Sequence, residues 1–403
     1  MGKLIKEYRR VMLLLSYLCM LGFAFTLQSV PPVLPLIIKG LKLSHTQAGF
    51  LMGIYALPAI FLSIPAGMLS DSLGPYKIGI ASLFLIIVGN AVFAASNTFL
   101  LACVGRAVAG LGAAIIVIIA AHMLSQWYGR HGIGTAMGIF NTAMPVGTII
   151  CFTVFGRLGE TLGWRAPIFI TIAVNVAGLA VFVFLYKSAP EQPNPQPPEK
   201  TSIENGKNAG GIFSGILQLN VTMWLVGLCW MWFNIAVISF STFAPDFFVT
   251  KGYGLGVAGF LVSLLMWGSL GISPIIGRLI DRIDRSEFFI GAGGLLISIA
   301  ILLVAGVDHV LFPMVLMAVA VALVPAPVFS FPSRILNQRS LGLGFGVLNM
   351  VASLGMFLGP SAAGIIRDST GSYIKSFIFL AALALLVTIT AWILRIMIKR
   401  GSS

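Results

Sequence analysis

The stretch VMLLLSYLCMLGFAFTLQSVPPVLPLII, Val11–Ile38, contains no charged residue. A bilayer core about 30 Å thick takes roughly 20 consecutive apolar residues per helical crossing, so this run is long enough to span it. It is too long for a cleaved signal peptide, lacks a small-residue cleavage site and is followed by many similar runs. It therefore reads as a retained first transmembrane helix.

Working outward, apolar runs bounded by polar or Gly/Pro clusters predict spans at 11–38, 46–69, 76–96, 98–124, 132–156 and 165–186. Six more follow at 217–246, 255–278, 287–306, 309–332, 342–366 and 374–398. Between the two sets lies a polar stretch, Lys187–Gly211, with Pro190, Pro193, Pro195, Pro197 and Pro198, which cannot build a core and reads as a linker. The expected organisation is an all-α membrane protein of twelve helices in two parallel six-helix bundles. The bundles are residues 1–186 and 212–403, joined by a cytoplasmic linker at 187–211.

Composition agrees with this. The chain is 58% hydrophobic and 9% charged, against about 25% charged for a soluble domain. The net charge of +13 is spread over loops instead of forming one stripe, which argues against nucleic acid and for orientation in a membrane. With the amino terminus placed in the cytoplasm, that side carries 17 Lys and Arg residues and the other 7. Both termini are therefore expected inside, in a multi-pass protein of the cell membrane. The four cysteines, Cys19, Cys103, Cys151 and Cys229, sit in apolar runs without metal-binding spacing and read as buried small hydrophobes.

The two halves repeat each other. An offset of 210 places Pro35 on Pro245, Ala48-Gly49-Phe50-Leu51 on Ala258-Gly259-Phe260-Leu261, and Gly67-x-Leu69-x-Asp71 on Gly277-x-Leu279-x-Asp281. An offset of 208 places Gly134, Gly138, Asn141, Gly147, Gly156, Gly163 and Phe169 on Gly342, Gly346, Asn349, Gly355, Gly364, Gly371 and Phe377. Parallel halves of this kind suit alternating access, one half rocking against the other around a central site.

Between the second and third predicted helices the chain reads Gly67-Met-Leu69-Ser-Asp71-Ser72-Leu-Gly74-Pro75-Tyr-Lys77. Between the eighth and ninth it reads Gly277-Arg278-Leu279-Ile-Asp281-Arg282. These segments resemble the loop G-x-L-x-D-R-x-G-R-R/K of the major facilitator superfamily, with Ser72 and Pro75 in place of the usual basic residues. The resemblance implies that Asp71 latches the halves together at the start of the eleventh helix, as a carboxylate does at a positive helix end. Gly67, Gly74, Lys77, Gly277, Asp281 and Arg282 complete the expected latch. Arg106-Ala-Val-Ala-Gly110-Leu-Gly112 in the fourth helix fits a second pattern of that superfamily, R-x-x-x-G-x-G.

Counted from Thr98 at about 1.5 Å per residue, Arg106 lies roughly 12 Å into the membrane. No Asp or Glu lies at similar depth in a predicted span. An intramembrane Arg faces a water-filled path or a partner, so Arg106 either lines the substrate pathway or bonds backbone carbonyls and the first helix. The resemblance places the first, fourth, seventh and tenth helices around the cavity, with the second, fifth, eighth and eleventh beside it. On that rule Gln28, Arg106, Asn141, Asn234 and Asn349 are candidate substrate contacts, whereas Asn175 of the sixth helix faces scaffold. The fifth helix keeps Pro145 of a related antiporter motif but has Met144 where that motif has Gly, which weakens a drug/proton antiport reading.

Enzyme signals are lacking. Gly342-Leu-Gly344-Phe-Gly346 follows no strand and opens an apolar helix, and there is no Walker loop for ATP. The expected function is transport of a small solute, an organic anion or carboxylate-bearing molecule, with no cofactor. The expected protein is a monomer in the lipid bilayer, and a co-transported proton or an exchanged anion are both open as partners. The alternatives are an exporter of amphipathic compounds and a membrane receptor or sensor that does not transport.

Overall fold

The computed structural model describes residues 2–62, 74–128, 132–188, 219–283, 285–336 and 341–401. Among the described residues there is no strand, and twelve helices are long and apolar enough to cross a membrane. In chain order the first six are α1 (Glu7–Leu41), α2 (His45–Leu62), α3 (Pro75–Ala94), α4 (Phe99–Tyr128), α5 (Ile133–Leu162) and α6 (Arg165–Leu185). The second six are α7 (Val221–Thr250), α8 (Leu255–Ile280), α9 (Ser286–Gly306), α10 (Leu311–Ile335), α11 (Gly342–Thr370) and α12 (Tyr373–Lys399). Of the linker, only Lys187 and Ser188 are described. The Lys187 carbonyl accepts the Trp127 indole N–H at 3.1 Å, tying the exit of the first bundle to α4.

Several spans are interrupted where the sequence removes backbone donors. Pro31 and Pro32 cannot donate to a continuing helix, so α1 passes through a 3-10 turn at Pro31–Val33 before resuming at Leu34. It ends on Lys42, whose φ of 52° is left-handed. Ser44 then starts α2 with a capping box. Its hydroxyl accepts the Gln47 N–H at 3.1 Å, while the Gln47 side chain accepts the Ser44 N–H at 3.0 Å. Downstream, α2 is broken between Gly53 and Leu57, and α5 contains a π turn at Cys151–Phe155.

Lys187, where the linker begins, and both described ends of the chain lie on one side of the bundle, here called the linker side. On the opposite, far side the two halves meet through backbone contacts made possible by glycine. A Cβ on Gly49 of α2 would lie 2.1 Å from the Pro360 carbonyl oxygen of α11. A Cβ on Gly259 of α8 would lie 2.1 Å from the Phe152 carbonyl oxygen of α5. Gly364 of α11 meets the His45 carbonyl oxygen at 2.3 Å, and Gly156 of α5 meets that of Leu255 at 2.6 Å, measured the same way. These contacts obey the sequence duplication: 49 and 259 differ by 210, while 152 and 360, like 156 and 364, differ by 208. One crossing, α2 on α11, is therefore the repeat image of the other, α8 on α5.

An added methyl at either crossing cannot be absorbed by a rotamer change, because its obstacle is backbone. Gly49→Ala and Gly259→Ala should each leave the halves folded but disfavour the far-side-closed arrangement. A thiol introduced as Ser361→Cys, behind the Gly49 crossing, should then react severalfold faster with a membrane-impermeant maleimide. Gly178→Ala, whose Cβ would have no heavy atom within 4 Å, should leave the rate unchanged. Equal rates in all the proteins would show that the glycine crossings do not control closure.

Candidate functional site

Arg106 is fully buried and is the one charged side chain in that state among the described residues. α4 presents it to α1, where one terminal N–H donates to the Thr26 carbonyl at 2.6 Å. Its guanidinium carbon lies 4.5 Å from the centre of the Tyr55 ring and 5.9 Å from that of Phe93, so the cation is held partly by aromatic faces. Nε and the second terminal nitrogen have no hydrogen-bond partner. Tyr55 belongs to the break in α2, and that break lies against α4 because a Cβ on Gly110 would come within 2.1 Å of the Tyr55 carbonyl oxygen.

Thr26 is the centre of a larger knot. Its hydroxyl donates to the Gly22 carbonyl at 2.8 Å and accepts the side-chain N–H of Asn90 at 3.4 Å and of Asn175 at 3.3 Å. Helices α1, α2, α3, α4 and α6 thus converge on one polar point inside the first half. Asn175 faces this scaffold, as its place on α6 implies. Thr26 and Asn90 were not legible as members, because a lone Thr or Asn in an apolar run carries no directional signal until neighbouring helices are placed.

The other candidate residues do not gather around Arg106. Gln28 is buried, but lies two residues beyond Thr26, about 200° around the helix and so away from the knot. Asn234 is buried and donates its amide to the Trp230 carbonyl of its own helix at 2.7 Å. Asn141 and Asn349 are exposed. Each sits 11 residues before its helix meets the opposite half, at Phe152 and Pro360 respectively. Eleven residues are about three helical turns, so both amides share the face that crosses to the other half, but toward the linker side. Pro145 supplies no N–H to the Asn141 carbonyl four residues earlier, which leaves that oxygen available as well.

Of the expected linker-side latch, Gly67 and Asp71 lie outside the described residues, and so does the side chain of Asp281. Gly74 has a φ of 81° and caps α3, Lys77 and Arg282 are exposed, and Gly277 is partly buried. Carboxylate-to-helix latches are present at the other end. Asp368, near the end of α11, accepts the backbone N–H of His45 at 3.0 Å and of Thr46 at 2.8 Å, the first residues of α2. Glu160, near the end of α5, accepts the backbone N–H of Leu255, the first residue of α8. Residues 160 and 368 again differ by 208, and 45 and 255 by 210. Extending the repeat alignment to these acids would have found the pair.

Two halves of six helices, duplicated in parallel and crossing through reciprocal α2–α11 and α5–α8 contacts, define a membrane transporter. The profile of the Major Facilitator Superfamily matches residues 14–360 and 252–402, and the chain belongs to that family. It is 23% identical to the lysosomal dipeptide transporter of Danio rerio over 396 residues, covering 93% of this chain and 84% of that one. It is 24% identical over 383 residues to a protein of Agrobacterium vitis provisionally assigned as a tartrate transporter, covering 88% and 83%. A bacterial homologue of the human lysosomal transporter Spinster, solved in an inward-facing and occupied conformation, superposes with a TM-score of 0.78 at 16% identity, covering 97% of each chain.

The Thr26 knot should be a stability element. Thr26→Val keeps the shape but removes the acceptor for Asn90 and Asn175, leaving two buried amides short of a partner. Stability should fall by about 1–3 kcal/mol, read as a lowered melting temperature of the purified protein. An unchanged melting temperature would show that these amides find other partners.

Proposed function

We propose that this transporter moves a small solute bearing a carboxylate, along a path between the halves, by exposing a central site alternately to the two sides. The observation that carries the reading is Arg106, a buried cation whose guanidinium has one carbonyl partner and two unpaired nitrogens. In a medium of low dielectric such a charge sets a positive potential over the neighbouring space, and an anion offsets it. In this arrangement Tyr55 lies over the guanidinium. Because α2 is broken at that point, rocking of the halves has a hinge at which to uncover it. Asn141 and Asn349 offer amides from opposite halves for the polar remainder of the solute, with Gln28 and Asn234 as further contacts. The relatives named for a dipeptide and for tartrate both correspond to carboxylate-bearing solutes, which supports the same class.

A second reading, export of amphipathic compounds, has one observation in its favour. Trp230 stacks on Phe233 at 5.0 Å and meets Phe329 edge-on at 5.2 Å, an apolar surface beside Asn234. We take the protein to work as a monomer in the cell membrane, and the excess of Lys and Arg on the linker side favours placing the linker and both termini in the cytoplasm.

A thermal-shift screen separates these readings, because a ligand bound only by the folded state raises apparent stability. Dicarboxylates and dipeptides should raise the melting temperature, and their neutral amides or esters should not. Arg106→Lys, which keeps a charge but loses the planar fork, should weaken the best carboxylate roughly ten- to a hundredfold. Shifts given by lipophilic cations or neutral solutes but by no carboxylate would overturn the reading.

A further inference from the structure

The two far-side latches are repeat images in backbone geometry but not in chemistry. Where the second copy has Leu255, the first has His45, whose ring sits among charged groups of the other half. Its Nδ1 is 2.9 Å from Asp368 Oδ1, and its Nε2 is 3.5 Å from Asp246 Oδ2 on α7. Asp368 is also held by the Thr46 hydroxyl, which donates to Oδ2 at 2.7 Å. Asp246 accepts the Tyr373 hydroxyl of α12. Arg367 of α11 lies over the Tyr373 ring at 4.4 Å and is the nearby cation. The groups facing His45 are therefore Asp368 and Arg367 from α11, Asp246 from α7 and Tyr373 from α12, all in the second half.

A neutral imidazole carries one N–H, so it can donate to only one carboxylate, while its other nitrogen turns a lone pair toward the second. Only the imidazolium has a donor for each. With it, the cluster of Asp246, Asp368, Arg367 and His45 balances to zero; without it, one negative charge is left over at the seam. The side chains of His45, Asp246 and Asp368 are 23%, 15% and 30% exposed, so the cluster is reachable from far-side water.

We propose that His45, clamped between Asp246 and Asp368, is a proton-binding site that acts on the transport cycle. A proton taken up there from the far side joins the halves and holds that side shut. Its loss leaves a carboxylate facing a lone pair and weakens one of the two latches, whose backbone bonds to Asp368 remain. The other latch, Glu160 on α8, has no titratable side chain at the His45-equivalent position and is the proton-independent copy. Because the site meets far-side water even when that side is closed, it makes closure respond to far-side pH and carries no proton across. It rests on the alternating-access reading above, but not on the identity of the solute.

The test needs no substrate. Spin labels at Lys39→Cys in the first half and Lys375→Cys in the second, both exposed on the far side, report closure by pulsed distance measurement on purified full-length protein in nanodiscs. Lowering the pH from about 8 to about 5, across the imidazole range, should raise the ratio of short to long distances about fivefold, the scale of one partly exposed ion pair. His45→Gln should favour long distances at every pH and lose the response. His45→Arg, a fixed cation, should favour short distances at every pH. Glu160→Gln should lengthen the distances overall while keeping the pH response. A pH-independent distribution in the parent protein, or a pH response surviving in His45→Gln, would overturn the proposal. Failure of every carboxylate in the thermal-shift screen would overturn the solute assignment and leave this result untouched.

Discussion

The far-side crossings depend on one constraint, that a helix backbone leaving the lipid must find partners for its polar groups within the protein. The first N–H groups of α2 and α8 are orphaned by helix geometry, and each finds a carboxylate on the opposite half. Glycines at 49, 259, 156 and 364 let the backbones approach closely enough for those carboxylates to reach. Small residues and helix-end carboxylates thus act as one device: the first sets the distance, the second uses it. Because the device occurs twice by duplication, closing one crossing brings the other into register.

Placing a charge–dipole contact at the rim and a glycine contact just inside it suits a joint that must open. Contacts between glycines and carbonyls are made by rigid backbone and are lost together when the helices part. Exposed carboxylates can be rehydrated as the seam opens, so their loss costs far less than breaking a buried ion pair. The bonds that must never break are placed elsewhere. The Thr26 knot draws α1, α3, α4 and α6 together within one half, out of reach of water. The bonded helices of the first half can therefore move as a body.

Arg106 belongs to both descriptions. Its bond to the Thr26 carbonyl makes it part of the knot, and its unpaired nitrogens leave it a fully buried cation with donors to spare. The two readings left open by depth alone do not exclude each other: a carbonyl orients the guanidinium, while Nε and the second terminal nitrogen have no partner.

The sequence by itself determined the class of fold. Charge-free runs of sufficient length leave lipid as the only solvent, and glycines recurring at offsets of 210 and 208 reveal the duplication. Family membership follows from the loop at Gly67–Lys77 and the Arg106 motif, and Asn175 was legible as scaffold from the helix that carries it. The tertiary structure decided which side chains meet. Thr26 and Asn90 joined Arg106, while Gln28 turned away and Asn234 bonded its own helix. The carboxylate latch described here lies at Asp368 and Glu160, on the far side. Helical periodicity gives a residue's angle on its own helix, but not the rotation of that helix against eleven others. Nor does it reveal that His45 stands between two acids that lie 201 and 323 positions along the chain. Such groupings arise only when close backbone approach selects one packing.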